Sequence, residues 1–427
     1  MKSLTTILLS FALLLAFASS VWATETRVET MGMGPVYLYD MPLQSPNCII
    51  MDEYNIGMYP STINYFHNYF FAEINRMNDD SPSGYGFPGT FYKAGAIFKL
   101  GNERKPWYLG AHFSTMPYVH SMYNFSNFYW DDGATHKLTL YYGRMLGALP
   151  FGFTFGYYGS SNKNEDDDET SNFENSLTRY EIGFGLSALD SALDLAFQLN
   201  MTTWKDEYYS GAASEVIEDT KPAGNMDLIL RGRYWMDPMG KYTVIPHAAF
   251  MMISEGLEEY DANGDMQYED KLSVSVFDLG VGINYDASTD VLVAADAGVA
   301  LVNAKYETTY DDPGLDDYED KNNFRVMPYF RTGIDAYVFK WLDFRAGVVS
   351  ACISYNNKWD EDDFDRTWSW NTTETFLGAG FHWGTFMIDL SIDPEFILEG
   401  PYFISGEDTD DAYDGWAAKA SMTYWFD

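Results

Sequence analysis

From about residue 65 onward the chain alternates long and short connections with few lapses. Strand-like stretches of roughly ten residues are joined first by a long acidic segment, then by a tight turn, then by a long segment again. Tyr65 to Arg76 leads into a long connection containing Asn78-Asp79-Asp80. Thr90 to Leu100 then turns through Gly101-Asn102-Glu103 into Pro106 to Met116. The rhythm continues to Thr372 to His382, which turns at Trp383-Gly384 into Thr385 to Ile392, and closes with a strand within Asp414 to Phe426. Hairpins with one short and one long end are the pattern of a transmembrane antiparallel up-and-down β-barrel. The count predicts about 16 strands, with 14 as the alternative.

The faces support a membrane setting. Phe151, Phe153, Phe155 and Tyr157 share one side of a strand, and Gly152, Thr154 and Gly156 share the other. Leu193, Leu195, Phe197, Leu199 and Met201 alternate with Asp194, Ala196, Gln198 and Asn200. A soluble sandwich alternates too, but the polar face here repeatedly carries both signs of charge, as a polar lumen requires. The residues expected to face that lumen are Arg179, Glu181, Asp194, Arg231, Arg233, His247, Asp296, Arg325, Arg331, Asp335, Asp343, Arg345, Asp389 and Lys419. Aromatic residues gather near strand ends, among them Tyr157 and Tyr158, Tyr234 and Trp235, Trp341, Trp383, and Tyr424 and Trp425. Amphipathic rings favour the boundary between lipid and water.

Residues 1–23 read as a secretory signal peptide. Lys2 begins it, Leu8 to Phe17 form its apolar centre, and Val21-Trp22-Ala23 fits the cleavage rule. Beyond it no apolar run reaches the ~20 residues of a spanning helix, although 46% of residues are hydrophobic and 18% aromatic. The net charge of −37 disfavours nucleic acid. Its acidic runs, such as Glu165-Asp166-Asp167-Asp168-Glu169 and Glu407-Asp408-Thr409-Asp410-Asp411, fall in the long connections, where a solvated surface is expected. Cys48 and Cys352 are the two cysteines, so a disulfide framework and four-cysteine zinc sites are ruled out. One bridge between them or two isolated residues both remain open.

Residues 24–64 break the rhythm and form a separate segment before the barrel of residues 65–427. Pro42, Pro46 and Pro60 keep the segment out of a central sheet position, so it fills the lumen or hangs in the periplasm. Arg27-Val28-Glu29-Thr30-Met31-Gly32, followed by Asn55-Ile56-Gly57-Met58-Tyr59-Pro60-Ser61-Thr62-Ile63, resembles the start of barrels related to the long-chain fatty-acid (FadL-like) transporters. A similar motif opens the shuttle barrel of the type IX secretion system. The fatty-acid transporter resemblance implies that the leading segment plugs the lumen. Met31-Gly32-Met33-Gly34 replaces a longer glycine run and the usual Asn-Pro is split, and no ligand-binding residue is carried over. The end of the chain, with Met422, Tyr424 and Phe426 alternating, resembles the signal read by the barrel-insertion machinery, except that Asp427 follows the terminal aromatic.

Chemistry beyond a wall is sparse in the sequence. None of His67, His112, His120, His136, His247 and His382 sits in a nucleophile motif, and Gly-x-Ser-x-Gly is absent. The chain is therefore expected not to be an enzyme, and no cofactor is expected. Asp261, Asn263, Asp265 and Glu269 place oxygen atoms at calcium-like spacings, but Gly264 is misplaced for an EF-hand loop, and no metal is expected. The expected partners are outer-membrane lipid and lipopolysaccharide, the insertion machinery and a small hydrophobic ligand. The expected setting is the outer membrane of a Gram-negative-type bacterium with both termini periplasmic. The expected function is passive, plug-gated passage of small or hydrophobic solutes. The alternative is a scaffold, a secretion partner or a surface-binding protein that uses its acidic loops.

Overall fold

The computed structural model describes residues 25–33, 37–38, 41–42, 49–77, 89–102, 105–116, 135–164, 172–210, 215–312, 314–359, 364–392 and 418–426. The signal-like segment 1–23, Cys48, His120, and the acidic runs at 165–169 and 407–411 lie outside the described residues.

The wall is built from β1 (Tyr69–Met77), β2 (Gly89–Asn102), β3 (Lys105–Met116), β4 (Thr135–Leu146), β5 (Leu149–Asn164) and β6 (Asn172–Ala188). It continues through β7 (Leu193–Ser210), β8 (Glu215–Pro222), β9 (Met226–Tyr234), β10 (Tyr242–Asp261), β11 (Met266–Ser288) and β12 (Val291–Tyr310). The last five are β13 (Tyr318–Phe339), β14 (Leu342–Trp359), β15 (Phe364–Trp383), β16 (Phe386–Ile392) and β17 (Ala418–Trp425). Pairing is antiparallel throughout, and β17 pairs with β1 from Trp425↔Tyr69 to Lys419↔Asn75, which closes the ring. β8 and β9 run in line between β7 and β10, so they share one of the sixteen positions. Ala223, Gly224 and Asn225 separate them, with Gly224 at φ +77° and Asn225 Oδ1 accepting from the Gly256 N–H at 2.6 Å. From sequence β8 reads as part of a long loop, because it is acidic and ends in Pro222.

Side chains alternate along the strands except at β-bulges, and the two faces separate by chemistry. Phe277, Leu279, Val281 and Ile283 on β11, Leu301 on β12 and Phe344 on β14 are exposed on the outside. This belt faces the hydrocarbon. Adjacent aromatics divide between the faces, because period two forbids both from pointing out. Tyr157 and Tyr234 are exposed, while Tyr158 is buried and Trp235 donates to Asp194 inside (3.2 Å). At the tight-turn end Phe339, Trp341, Phe381, Trp383 and Phe386 form a chain of ring contacts at 5.7–6.3 Å, an aromatic girdle at the membrane boundary. Phe426 packs outside against Phe70 and Phe98, with ring centres at 5.0 and 5.5 Å.

Several strands run well past the membrane. β11 has 23 residues and β13 has 22, against the ~9–11 that cross a bilayer. Sequence periodicity marks the crossing part alone, which is why the expected strands fall short at their long-loop ends. Beyond the belt the outer face becomes a skirt of ion pairs: Lys205–Glu207 at 2.6 Å, Lys221–Asp219 at 2.7 Å, Lys271–Glu269 at 2.7 Å and Lys305–Glu319 at 2.8 Å.

One expected lumen residue lies on the wrong face. Arg325 is exposed and pairs across β12 with outward Leu301. Between Val326 and Tyr329 β13 carries one residue more than β12 carries between Ala300 and Gly298. This β-bulge falls at Met327-Pro328, where proline has no N–H to give the ladder. It shifts the alternation, so Val326 and Tyr329 both point inward and Arg325 does not share a face with Arg331. Counting by twos across the bulge gives the opposite answer.

The belt gives a test of the membrane face. Leu279→Arg should lower stability by about 2–4 kcal/mol if Leu279 lies near the bilayer midplane. Urea unfolding in lipid vesicles measures it. An unchanged midpoint would place Leu279 outside the hydrocarbon.

Candidate functional site in the lumen

The leading segment contains α1 (Glu25–Thr30), α2 (Asn55–Met58) and a 3-10 turn at Pro60–Asn64. Its residues touch the wall around the ring. Thr26 donates to Glu73 of β1 at 2.9 Å, Asn64 Nδ2 donates to the Phe151 carbonyl of β5 at 2.9 Å, and Ser187 of β6 donates to Ser61 at 3.0 Å. Arg233 of β9 donates to Asn55, Asn284 of β11 donates to the Ile49 carbonyl at 2.7 Å, and Arg27 meets Asp335 of β13 at 2.7 Å. A segment that reaches this many strands of a closed barrel lies inside it. These contacts all fall toward the tight-turn end.

Glycine makes the close fit. Gly143, Gly152 and Gly185 are in register across β4, β5 and β6. A Cβ on any of them would collide with Ile63, Pro60 or Ser61. Gly333 and Gly347, paired between β13 and β14, lie against the Met31-Gly32 backbone in the same way. The wall is thus pared to bare backbone where the segment presses on it. The signal was present in the sequence as inward glycines at matching distances from the tight turns. It becomes legible once the register is known.

Charge holds the segment as well. Arg345, wholly buried, reaches Asp335 at 3.1 Å, Asp343 at 2.6 Å and also Asp389. Asp335 joins this cluster to Arg27, and His382 caps Asp343 at 2.6 Å. Lys419 pairs with Glu73 at 3.2 Å. Arg233 binds Asp194 at 2.9 Å, and its guanidinium lies 4.2 Å from the centre of the Tyr59 ring. His247 and Arg331 share Asp296, at 2.9 Å from His247 Nε2 and 3.0 Å from Arg331 Nε. On the opposite arc a relay runs across β4 to β9. Lys137 bonds Glu181 at 2.7 Å, Arg179 bonds Asp227 at 2.7 Å, Asn200 reaches Asp227 at 3.2 Å, and Arg231 reaches Gln198 at 3.4 Å.

The lumen candidates other than Arg325 therefore stand on the inner face, gathered into these clusters. Sequence reading missed Arg27, Asp52, Glu73, Lys137 and Asp227. Arg27 and Asp52 sit in a segment with no periodicity to orient them. The calcium-like set is not gathered. Asp261 accepts from the backbone N–H groups of Asn263 (2.8 Å) and Asp265 (3.0 Å), which makes it the cap of a hairpin turn, and Glu269 pairs with Lys271. Among the described residues no group of three or more His, Cys, Asp or Glu side chains is placed to hold a metal ion. Cys352 carries a free thiol exposed on the outer face.

Above the segment the inner wall of β11 to β14 is apolar. Val274, Val276, Ala300, Val302, Val326 and Val349 form one buried cluster there, with Met251 and Ile253 of β10 alongside. The lumen is therefore two-sided, with an aliphatic arc facing the charged arc of β4 to β9.

Within the segment, burial pushes the Asp52 carboxyl up to about 7, against the pull of Arg27 at 3.8 Å, and pushes the neighbouring Glu53 carboxyl up as well. A carboxyl raised in the docked state favours docking while it keeps its proton. That contribution is complete below the ordinary carboxylate range and is lost as pH rises through about 7. Protease nicking of residues 49–66 should therefore be faster at pH 8.5 than at pH 5.5, and Asp52→Asn should flatten the difference. Equal rates in the unsubstituted protein would refute it.

No family model matches the chain, and no curated protein matches it in sequence. Several solved structures align loosely with the chain. The toluene transporter TbuX of Ralstonia pickettii aligns over 96% of this chain and 100% of its own, at 10% identity and a TM-score of 0.38. The ferric preacinetobactin receptor BauA of Acinetobacter baumannii aligns over 76% of this chain and 54% of its own, at 9% identity and a TM-score of 0.40. The alcaligin outer-membrane receptor FauA of Bordetella pertussis aligns over 84% and 76%, at 8% identity and a TM-score of 0.37. With the ring closed, the belt outside and the charges inside, the chain has the fold of an outer-membrane β-barrel, with sixteen strand positions.

Proposed function

We propose that this barrel passes small or hydrophobic solutes across the outer membrane, with residues 24–64 as the gate. The observation that carries this reading is the way the segment is fixed in the lumen. It is attached by ion pairs and hydrogen bonds to polar wall residues, and by apolar packing of residues such as Val28, Ile49 and Ile63, rather than by strand pairing with the wall. The aliphatic arc above it offers a surface to solutes with apolar parts. Barrels of this class have short periplasmic turns. On this reading the tight turns face the periplasm, and both termini are proposed to lie on that side.

Liposome swelling tests the reading. Vesicles containing the protein should admit small solutes faster than empty ones. Absence of flux, with protein partners retained on purification from membranes, would favour the alternative of a surface-binding scaffold that uses its acidic rim.

A further inference from the structure

Above the leading segment, β15 sends a row of side chains into the lumen. Gly378 lies against Thr30, and the next residues toward the long-loop end on the same face are Phe376, Glu374, Thr372 and Trp370. Their neighbours on β14 are covered: Val349 opposite Glu374, Ala351 opposite Thr372 and Ile353 opposite Trp370 are at most 3% exposed. The β15 row is open by comparison. Glu374 is exposed, and Phe376, Thr372 and Trp370 are half-buried. Phe376 and Trp370 pack against the aliphatic cluster to which Val349, Ala351 and Ile353 belong. Glu374 is thus a carboxylate set in an apolar stretch of wall and reachable from the lumen.

Its chemistry differs from that of the inward carboxylates already described. Asp194 is held by Arg233, Asp227 by Arg179, Asp296 by Arg331 and Glu73 by Lys419. Glu374 has neither an ion pair nor a hydrogen bond among the described residues. A carboxylate with apolar neighbours and no base gains from any cation that can reach it.

We propose that Glu374 anchors a lumen site for an organic ammonium ion with an apolar body, and that such amines are a solute class of this barrel. The second part rests on the passage reading above, and the binding does not. A hydrocarbon would cover Phe376 and strip Glu374 of water without replacing its hydrogen bonds. An anion would meet both Glu374 and the chain's net charge of −37. A metal ion would find one carboxylate, since no group of three ligating side chains is placed to hold one among the described residues. An ammonium brings N–H donors, whose bonds to a carboxylate are charge-assisted. Phe376, two residues along the same face and roughly 7 Å away, receives the apolar body. The acidic surface raises the local concentration of cations and so works in the same direction.

Calorimetric titration of the full-length protein in an uncharged detergent tests the site, at about 0.15 M salt so that exposed acidic loops are screened. The probes share one ring and differ in charge: phenethylammonium, toluene and phenylacetate. Phenethylammonium should bind saturably and more tightly than the other two. Glu374→Gln should weaken it tenfold or more, and Glu374→Asp, which keeps the charge, should weaken it less. Heat-modifiable migration on gels checks that each variant keeps its barrel, and Glu374→Ala replaces Glu374→Gln if that one does not fold. No phenethylammonium binding, binding unchanged without the carboxylate, or equal binding of toluene or phenylacetate would each overturn the site. Vesicle swelling judges passage separately. A barrel that admits solutes but binds no ammonium overturns this proposal alone, and one that binds ammonium but admits nothing keeps the site and overturns the solute role.

Discussion

Arg345→Ala is expected to lower the stability of the barrel by roughly 3–5 kcal/mol, the usual effect of removing one partner from a buried ion cluster. Asp335, Asp343 and Asp389 are all at most 2% exposed, and each loses a guanidinium contact in this variant. Arg27 and His382 remain as partners for Asp335 and Asp343. Arg345→Lys should recover part of the loss, because one ammonium cannot present the planar fork that meets three carboxylates. Urea unfolding in vesicles, followed by intrinsic fluorescence, reads the difference. A midpoint for Arg345→Ala equal to that of the parent would show that the cluster contributes nothing to stability.

Deletion of residues 25–64 is expected to raise single-channel conductance in planar bilayers on the order of tenfold, because a sixteen-position barrel with an emptied lumen leaves an aqueous path. The removed contacts are spread over many strands, but most of the wall remains paired strand to strand, so the barrel should still insert. Arg27→Ala should give a smaller change of the same sign. It frees one end of the segment from Asp335 while Asn55, Ser61 and Asn64 keep their wall contacts. A deletion variant that inserts, resists heat like the parent and conducts no better would mean that the segment does not block the path.

The two variants probe different consequences of one arrangement. Asp335 belongs both to the wall cluster and to the hold on the leading segment. Arg345→Ala therefore bears on stability and gating together, whereas the deletion bears mainly on gating. If Arg345→Ala also increases conductance, the charge cluster and the gate are coupled through Asp335.

Much of the wall is legible in the sequence. Every strand position follows from the turns, because a tight turn such as Trp383-Gly384 has a composition of its own and membrane crossing imposes alternation. Legibility ended where either condition lapsed. Beyond the belt, β11 and β13 carry Lys and Glu outward, and nothing apolar marks them as strands. At Met327-Pro328 one added residue reversed the faces and moved Arg325 outward. β8 was hidden because it is acidic and ends in Pro222.

Local pattern was enough for the class of fold, a count of about 16 strands with 14 as the alternative, and the inward placement of most of the charges. All three depend on local, repeating relations: turn chemistry, a period of two, and the cost of charge in hydrocarbon. The tertiary structure decided which charges meet, where the leading segment rests, and that the inner glycines form a bed for it. It also set Glu374 opposite Val349 on an apolar stretch of the inner wall. Those relations join residues hundreds of positions apart, such as Arg27 and Asp335. They depend on strand register and barrel closure, and no local window of the chain contains them.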